Sequence, residues 1–111
     1  MNNTKMSLIN SEKHFLELLL QTNPKQRKLL LSSLTNQQLR VLGEIAANVL
    51  HSVILLNEEE KGKLKKHKSL LLVIGDKNTS RKLKLQKLTR NQKGVSTLLR
   101  VVKPFLKKWW T

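Results

Sequence analysis

The stretch TNQQLRVLGEIAANVLHS, residues 35–52, carries the clearest structural signal in the chain. Its apolar residues recur three and four positions apart, which places them on one face of an α-helix. Thr35 and Gln38 have the spacing of a capping box, in which each side chain hydrogen-bonds the backbone N–H of the other residue. The stretch therefore predicts a helix at about 36–52, whose core face is formed by Leu39, Leu42, Ile45, Ala46, Val49 and Leu50.

Helix start signals also precede two shorter segments on the N-terminal side. Ser11 is a candidate N-cap for a helix at about 12–21. Asn23 caps the next helix, at about 24–33, in which Pro24 suits the first position because its missing N–H would be unpaired there anyway. The inward-facing residues are expected to be Phe15, Leu16, Leu19 and Leu20 in the first helix and Leu29, Leu30 and Leu31 in the second.

Two further helices are predicted on the C-terminal side. Asn57 and Glu60 form a second capping box for a helix from 58 to about 74, after which Gly75 provides a left-handed stop. Thr79 or Ser80 caps a fifth helix at about 80–92. Residues 69–74 and the alternation of Leu83 and Leu85 also fit strands, but a Gly-poor sequence rich in Leu, Lys and Gln favours helix.

These segments predict an all-α protein, a small helical bundle of about five helices with a basic C-terminal half and a terminal amphipathic helix. We expect a mobile N-terminus at 1–10, a helical core module at 11–75, a basic helical segment at 76–94 and a basic amphipathic C-terminal segment at 95–111. Residues 53–56 are expected to be an extended connector that docks on the core. The basic half is expected to extend from the core and to become ordered on a partner.

Charge is distributed very unevenly along the chain. Of its 111 residues, 22 are Lys or Arg and 7 are Asp or Glu, which gives a net charge of +15. Residues 1–60 are neutral overall, because they contain six basic and six acidic residues. Residues 61–111 contain the other 16 basic residues and a single acid, Asp76. This half therefore predicts a polyanionic partner.

Two basic clusters are the candidate contacts for nucleic-acid phosphates. The first lies at 61–68, where Lys61, Lys65 and Lys68 have the spacing of one helix face. The second follows Lys77. Since Lys outnumbers Arg and acts as a point charge, we expect contacts to phosphates rather than to bases. The candidate nucleic-acid-binding residues are Lys61, Lys65, Lys66, Lys68, Arg81, Lys82, Lys84, Lys87, Arg90 and Lys93.

The segment after Gly94 has a different pattern. Its apolar residues fall in one arc of a helix and its cations on the other side, although Pro104 should kink or divide that helix. A basic amphipathic helix that ends in two Trp suits a membrane interface, and it equally suits packing on the protein's own core or on a dimer partner. The candidate membrane or partner contacts are Leu98, Leu99, Val102, Phe105, Leu106, Trp109 and Trp110.

Composition excludes several other classes of protein. The chain has no Cys, which excludes thiol chemistry and Cys-ligated metals. It has no Tyr and only four aromatic residues, which argues against an aromatic stacking platform for single-stranded nucleic acid. The three His have no metal-site spacing, and the four Gly form no phosphate-binding loop. We therefore predict no enzymatic activity, no metal and no cofactor. The chain contains no apolar run of about 20 residues, and residues 1–10 lack the apolar region of a signal peptide.

A set of Lys- and Leu-rich motifs covers residues 14–94. These are Phe15-Leu16, Lys25-Gln-Arg-Lys-Leu-Leu30, Gln38, Glu44-Ile-Ala, Asn48-Val-Leu, Leu56, Lys61, Leu64-Lys-Lys-His-Lys68, Leu71, Lys82 and Gln92-Lys-Gly94. The pattern resembles a small basic protein of Polinton/Maverick elements and adintoviruses, which are adenovirus-like double-stranded DNA viruses. The resemblance implies a late or virion-associated protein that helps to package DNA. We expect it in the nucleus or the virion, since the basic cluster at 61–68 is also similar to a nuclear-import signal. Relatives often have a second Gly where this chain has Val95.

The predicted function is non-sequence-specific binding and condensation of double-stranded DNA by phosphate neutralisation, with RNA as an alternative polyanion. A second hypothesis is contact with an anionic membrane through 95–110. A third is a structural adaptor, in which the neutral Leu-rich half binds a capsid protein or another partner. Homodimerisation is a further expectation, since it would bury surplus Leu.

Overall fold

The computed structural model describes residues 11–51 and 56–110, with the backbone alone described for 106–110. This part of the chain is all helical, as predicted, and contains seven helices rather than about five. They are α1 (Lys13–Gln21), α2 (Pro24–Ser32), α3 (Asn36–Leu50), α4 (Glu58–Lys65), α5 (Lys68–Gly75), α6 (Arg81–Arg90) and α7 (Gln92–Trp110). Residues 69–88 lie in α5, α6 and the turn between them, so the helical alternative is confirmed there.

Local capping signals were read correctly from the sequence in four helices. Each of three capping boxes pairs an N-cap with the third helical residue: Asn23 with Gln26, Thr35 with Gln38, and Asn57 with Glu60. Their side-chain-to-backbone bonds measure 2.8–3.2 Å. Ser80 caps α6 by accepting from the N–H of Leu83 at 3.3 Å. The prediction that Ser11 is the N-cap of α1 is wrong, because Ser11 is itself helical. Glu12 holds the N-cap position without a side-chain hydrogen bond.

The prediction of a single helix at 58–74 is wrong in one respect, since the segment forms two helices, α4 and α5. It is interrupted at Lys66 and His67, where the N–H of His67 donates to the carbonyl oxygen of Leu64 at 2.9 Å. The interruption lets the two halves pack on different neighbours: α4 on α7, and α5 on α3 and α6. Lys68 therefore belongs to a different helix from Lys61 and Lys65, and the prediction that all three share one helix face is wrong.

The most extensive helix pair is α3 against α5. A glycine permits their approach, because a Cβ on Gly43 would lie only 2.6 Å from the carbonyl oxygen of Ile74. Gly75 was predicted as a left-handed stop, and this is wrong. It is the last helical residue of α5, and a Cβ there would lie 3.5 Å from the backbone nitrogen of Ala47 on α3. The helix ends instead at Asp76, which has an extended conformation.

The predicted core face of α3 is confirmed. Leu39, Leu42, Ile45 and Ala46 are buried, and Val49 and Leu50 pack against the core. In α1, Leu16 and Leu19 are buried. The expectation that three consecutive Leu of α2 all face inward is wrong, because successive residues are about 100° apart around a helix. Leu31 is buried there, while Leu29 is exposed.

Helix α7 lies at the centre of the fold, in contact with α1, α2, α4 and α6. It contributes five buried residues to the single core cluster: Val95, Leu98, Leu99, Val101 and Val102. The expectation that the basic half extends away from the core is therefore wrong. The predicted boundary between helical segments at Gly94 is also wrong, since α7 is continuous through it. Pro104 was predicted to kink or divide the helix, and division is wrong for the same reason. Gly94 is buried against α5, and Pro104 is exposed.

Some predictions fall on parts of the chain outside the described residues. They are the mobile N-terminus at 1–10, most of the connector at 53–56, and the side-chain roles of Leu106, Trp109 and Trp110. Leu56 is described, and it packs against the core as expected of the connector.

Candidate nucleic-acid interface

The positive charge of the C-terminal half has few acidic partners. Three ion pairs are found among the described residues: Lys13–Glu17 at 4.0 Å, Lys61–Glu58 at 3.6 Å and Lys63–Glu59 at 3.6 Å. All three join exposed side chains one helical turn apart, so each contributes little to stability. Within the described part of the chain, no Lys or Arg between residues 65 and 103 has a carboxylate within 4 Å. Apart from Arg81, whose guanidinium group is hydrogen-bonded within the protein, these cations are available to an external anion.

Two basic segments that are distant in sequence meet where the α4–α5 turn packs on the first turn of α7. The close contact is at Gly94, where a Cβ would lie 2.6 Å from Cδ2 of Leu70 and 3.1 Å from Nδ1 of His67. Lys66 and Lys68 flank His67, and Lys93 precedes Gly94, so the fold brings these cations to one region of the surface. We call the four exposed residues Lys65, Lys66, Lys68 and Lys93 the basic junction.

The basic junction continues along α7. Arg100 is seven residues after Lys93, so it lies on the same helix face about 10 Å further along the axis. Both side chains are exposed, as is that of Lys103. Neither Arg100 nor Lys103 was among the predicted binding residues. Their position on the polar side of an amphipathic pattern was visible in the sequence, and it was the signal that could have found them.

Lys61 lies in a different electrostatic setting from the basic junction. It follows Glu58, Glu59 and Glu60, which occupy the first turn of α4, and its ammonium group pairs with Glu58. These carboxylates interact favourably with the positive N-terminal end of the helix dipole, and their negative charge repels phosphate. Lys61 is therefore less available to a phosphate than the four lysines of the basic junction.

Helix α6 presents the second predicted cluster. Lys82 and Arg90 are exposed, while Lys84 and Lys87 are half-buried. The opposite face packs inward, with Leu88 fully buried and Leu85 against the core. Leu83, by contrast, is 55% exposed, so α6 is anchored on the core by Leu85 and Leu88.

Asp76, the lone acid of the last 51 residues, is committed to the turn before α6. Its Oδ1 accepts from the N–H of Asn78 at 2.9 Å, and its Oδ2 accepts from the hydroxyl of Thr79 at 3.0 Å. These two hydrogen bonds, followed by the nearby ammonium of Lys84, hold the pKa of this carboxyl below its usual value. Asp76 thus stays ionised while it shapes the turn.

Arg81 has a role that the sequence did not reveal. Its Nη1 donates to Oδ1 of Asn36 at 2.7 Å, and its Nη2 donates to the carbonyl oxygen of Leu34. The guanidinium group therefore joins the start of α6 to the α2–α3 linker. Of the ten predicted binding residues, Arg81 is the one whose side chain donates hydrogen bonds to other described residues.

Arg81→Gln is expected to lower the free energy of unfolding by about 1–3 kcal/mol, because two acceptors lose a charged donor. The matched variant Lys82→Gln removes the same charge from the next residue and should change that free energy by less than about 0.5 kcal/mol. Urea titrations of both variants measure the difference. Equal stability of the two variants would contradict the role of Arg81 in joining these elements.

A groove of about 750 Å³ lies between α3, the end of α5 and the start of α6. The groove is lined by four cations, Arg40, Lys77, Arg81 and Lys84, and by two acids, Glu44 and Asp76, so its charge is mixed. It therefore attracts a polyanion less strongly than the basic junction does.

The residues predicted for membrane or partner contact divide into two groups. Leu98, Leu99 and Val102 are fully buried, and Phe105 packs partly buried against the same core. The side chains of Leu106, Trp109 and Trp110 are outside the described residues. Among the helices that the structure describes, none is long and apolar enough to cross a bilayer. In the folded state, therefore, the first part of the apolar face of α7 packs inside the protein.

The described residues contain no group of three side chains suited to hold a metal ion. Comparisons with protein-family models, with curated proteins and with solved structures find no match to this chain.

Proposed function

We propose that the protein binds double-stranded DNA without sequence preference and condenses it by neutralising phosphates. The observation that carries the proposal is the basic junction, where the packing of α7 on the α4–α5 turn gathers exposed cations that have no carboxylate partners. Such a surface lowers the free energy of a bound polyanion by releasing condensed counterions.

Charge matching supports condensation as well as binding. The protein measures 33 × 30 × 29 Å and carries a charge of +15. A duplex segment about 30 Å long carries about 18 negative charges, since DNA has one per 1.7 Å. One protein bound along each such length would neutralise most of the phosphate charge, and this loss of repulsion lets duplexes approach one another.

The types of residue support phosphate contact rather than base reading. The basic junction consists of Lys alone, and an ammonium group is a flexible point charge without the planar fork that reads guanine. We therefore expect affinity to vary little between duplexes of different sequence. The packaging role implied by the resemblance to Polinton and adintovirus proteins, in a nucleus or virion, is part of this proposal.

The double variant Lys68→Gln/Lys93→Gln tests the basic junction, because it removes one cation from each of its two segments. At about 0.1 M salt we expect DNA affinity to fall on the order of 10- to 60-fold, and the log–log salt slope to become shallower by about 1.8. Fluorescence anisotropy with a random duplex measures both quantities.

The control is Lys25→Gln/Lys28→Gln, which removes the same charge from exposed positions of α2 in the neutral half. It should weaken binding only slightly through the net charge. Equal losses in the two variants would overturn the basic junction as the interface, and no loss in either would argue against phosphate neutralisation altogether.

A further inference from the structure

Ser69 differs from the other exposed hydroxyl residues in the described part of the chain. It is exposed, and its hydroxyl makes no hydrogen bond to another described residue. Every other exposed Ser or Thr there uses its hydroxyl in a cap, a turn or a bond to a neighbour; these residues are Ser11, Ser32, Ser33, Thr35 and Ser80. The Ser69 hydroxyl is therefore free to react without loss of a structural contact.

The surroundings of Ser69 favour one kind of reaction. Three cations, Lys65, Lys66 and Lys68, stand within four residues on its N-terminal side. Charge patterns of this kind are what protein kinases use to choose substrates, through acidic residues that line the peptide groove. Ser69 also lies just after the turn at Lys66 and His67, so its N-terminal neighbours are not locked in one continuous helix.

Access by a kinase also needs local opening, and the α4–α5 turn can open at low cost. Helix α4 has eight residues and contributes one buried side chain, Leu64. Segments with few buried apolar contacts open with free energies far below that of global unfolding. The stretch from Lys65 to Ser69, which includes the first two residues of α5, can therefore reach an extended conformation while α3, α7 and the rest of α5 maintain the core.

We propose that Ser69 is a phosphorylation site for a Ser/Thr protein kinase that prefers basic residues before the acceptor, with ATP as the phosphoryl donor. The Oγ of Ser69 attacks the γ-phosphorus, the bond to the bridging oxygen of ADP breaks, and the hydroxyl proton leaves to the kinase base. The products are phosphoserine 69 and ADP.

The consequence for binding rests on the proposed function. A phosphoserine carries a charge of about −1.5 to −2 near neutral pH. Placed among the cations of the basic junction, it forms ion pairs with those lysines and competes with DNA phosphates for them. Phosphorylation therefore neutralises about two of the cations that bind DNA and releases the protein from its polyanion.

The first experiment tests the site itself. The full chain is incubated with ATP and the catalytic subunit of a kinase with a basic preference, and the phosphorylated residue is located by tandem mass spectrometry. We expect one major phosphate, at Ser69, which Ser69→Ala abolishes and Ser32→Ala leaves unchanged. A phosphate placed mainly on another hydroxyl, or equal incorporation into the Ser69→Ala variant, would overturn the assignment.

The second experiment tests the effect on binding with a random DNA duplex. Phosphorylation at Ser69 should weaken binding on the order of 10- to 60-fold at about 0.1 M salt, and Ser69→Glu should give part of this loss. Unchanged affinity of the phosphorylated chain, when Lys68→Gln/Lys93→Gln still weakens binding, overturns the regulatory role alone. If neither phosphorylation nor Lys68→Gln/Lys93→Gln changes DNA affinity, the proposed function is overturned. The assignment of Ser69 as a phosphorylation site is not affected by that result.

Discussion

Leu99→Ala is expected to lower the free energy of unfolding by about 4 kcal/mol, because it removes a fully buried side chain from the central helix α7. The size of the effect depends on the surroundings. Val95, Leu98 and Val102 from the same helix are also buried around it, and four other helices pack on α7, so the site has little freedom to collapse. Urea unfolding followed by circular dichroism measures the change.

Leu29→Ala is the matched control for this prediction. It deletes the same atoms from a side chain that is 65% exposed on α2, so it should cost less than about 1 kcal/mol. If Leu99→Ala leaves no folded protein, the milder Leu99→Val should still unfold at a lower urea concentration than Leu29→Ala. Equal stability of the Leu99 and Leu29 variants would mean that the basic C-terminal half is not part of the core.

Gly43→Ala is expected to lower the free energy of unfolding by about 2–3 kcal/mol, although Ala is the better helix former by about 1 kcal/mol. The added Cβ would lie 2.6 Å from the carbonyl oxygen of Ile74, which is a backbone atom and cannot rotate away. Helices α3 and α5 would have to separate, and theirs is the most extensive helix contact in the fold.

The control for Gly43 is Gly62→Ala, in the exposed part of α4. A Cβ there meets nothing within 4 Å, so the substitution should raise the free energy of unfolding by about 0.5–1 kcal/mol. The two Gly→Ala changes therefore have opposite predicted signs in the same urea assay. A stabilising effect of Gly43→Ala would contradict the close packing of α3 on α5.

The parts of the fold that depend on local chemistry were predictable from sequence. Thr35 and Asn57 were predicted as caps because a capping box lies entirely within four residues, and Asn23 because Asn before Pro24 suits the start of a helix. The turn at His67 was not predictable, because it depends on contact with Gly94 from another part of the chain. The position of α7 was also hidden, since the pattern of a basic amphipathic helix fits a membrane, a partner and the protein's own core equally well.

In the candidate interface, too, some features follow from local sequence and others depend on tertiary contacts. An excess of unpaired Lys follows directly from composition, so the exposure of Lys66, Lys82 and Lys93 could be expected. The placing of Lys68 and Lys93 in one region depends on tertiary packing, through the contact of Gly94 with His67 and Leu70. The hydrogen bonds of Arg81 could not be predicted either, because the acceptors lie 45 and 47 residues away along the chain.

The salt dependence of binding to a random DNA duplex tests the central claim most directly. If about eight cations of the intact chain engage phosphates, the logarithm of the binding constant falls with the logarithm of salt concentration at a slope of about −7 between about 50 and 200 mM. We also expect duplexes of different base composition to bind with similar affinity. Weak binding with a flat slope would contradict the proposed function, because the positive charge of the protein would then not act by neutralising DNA phosphates.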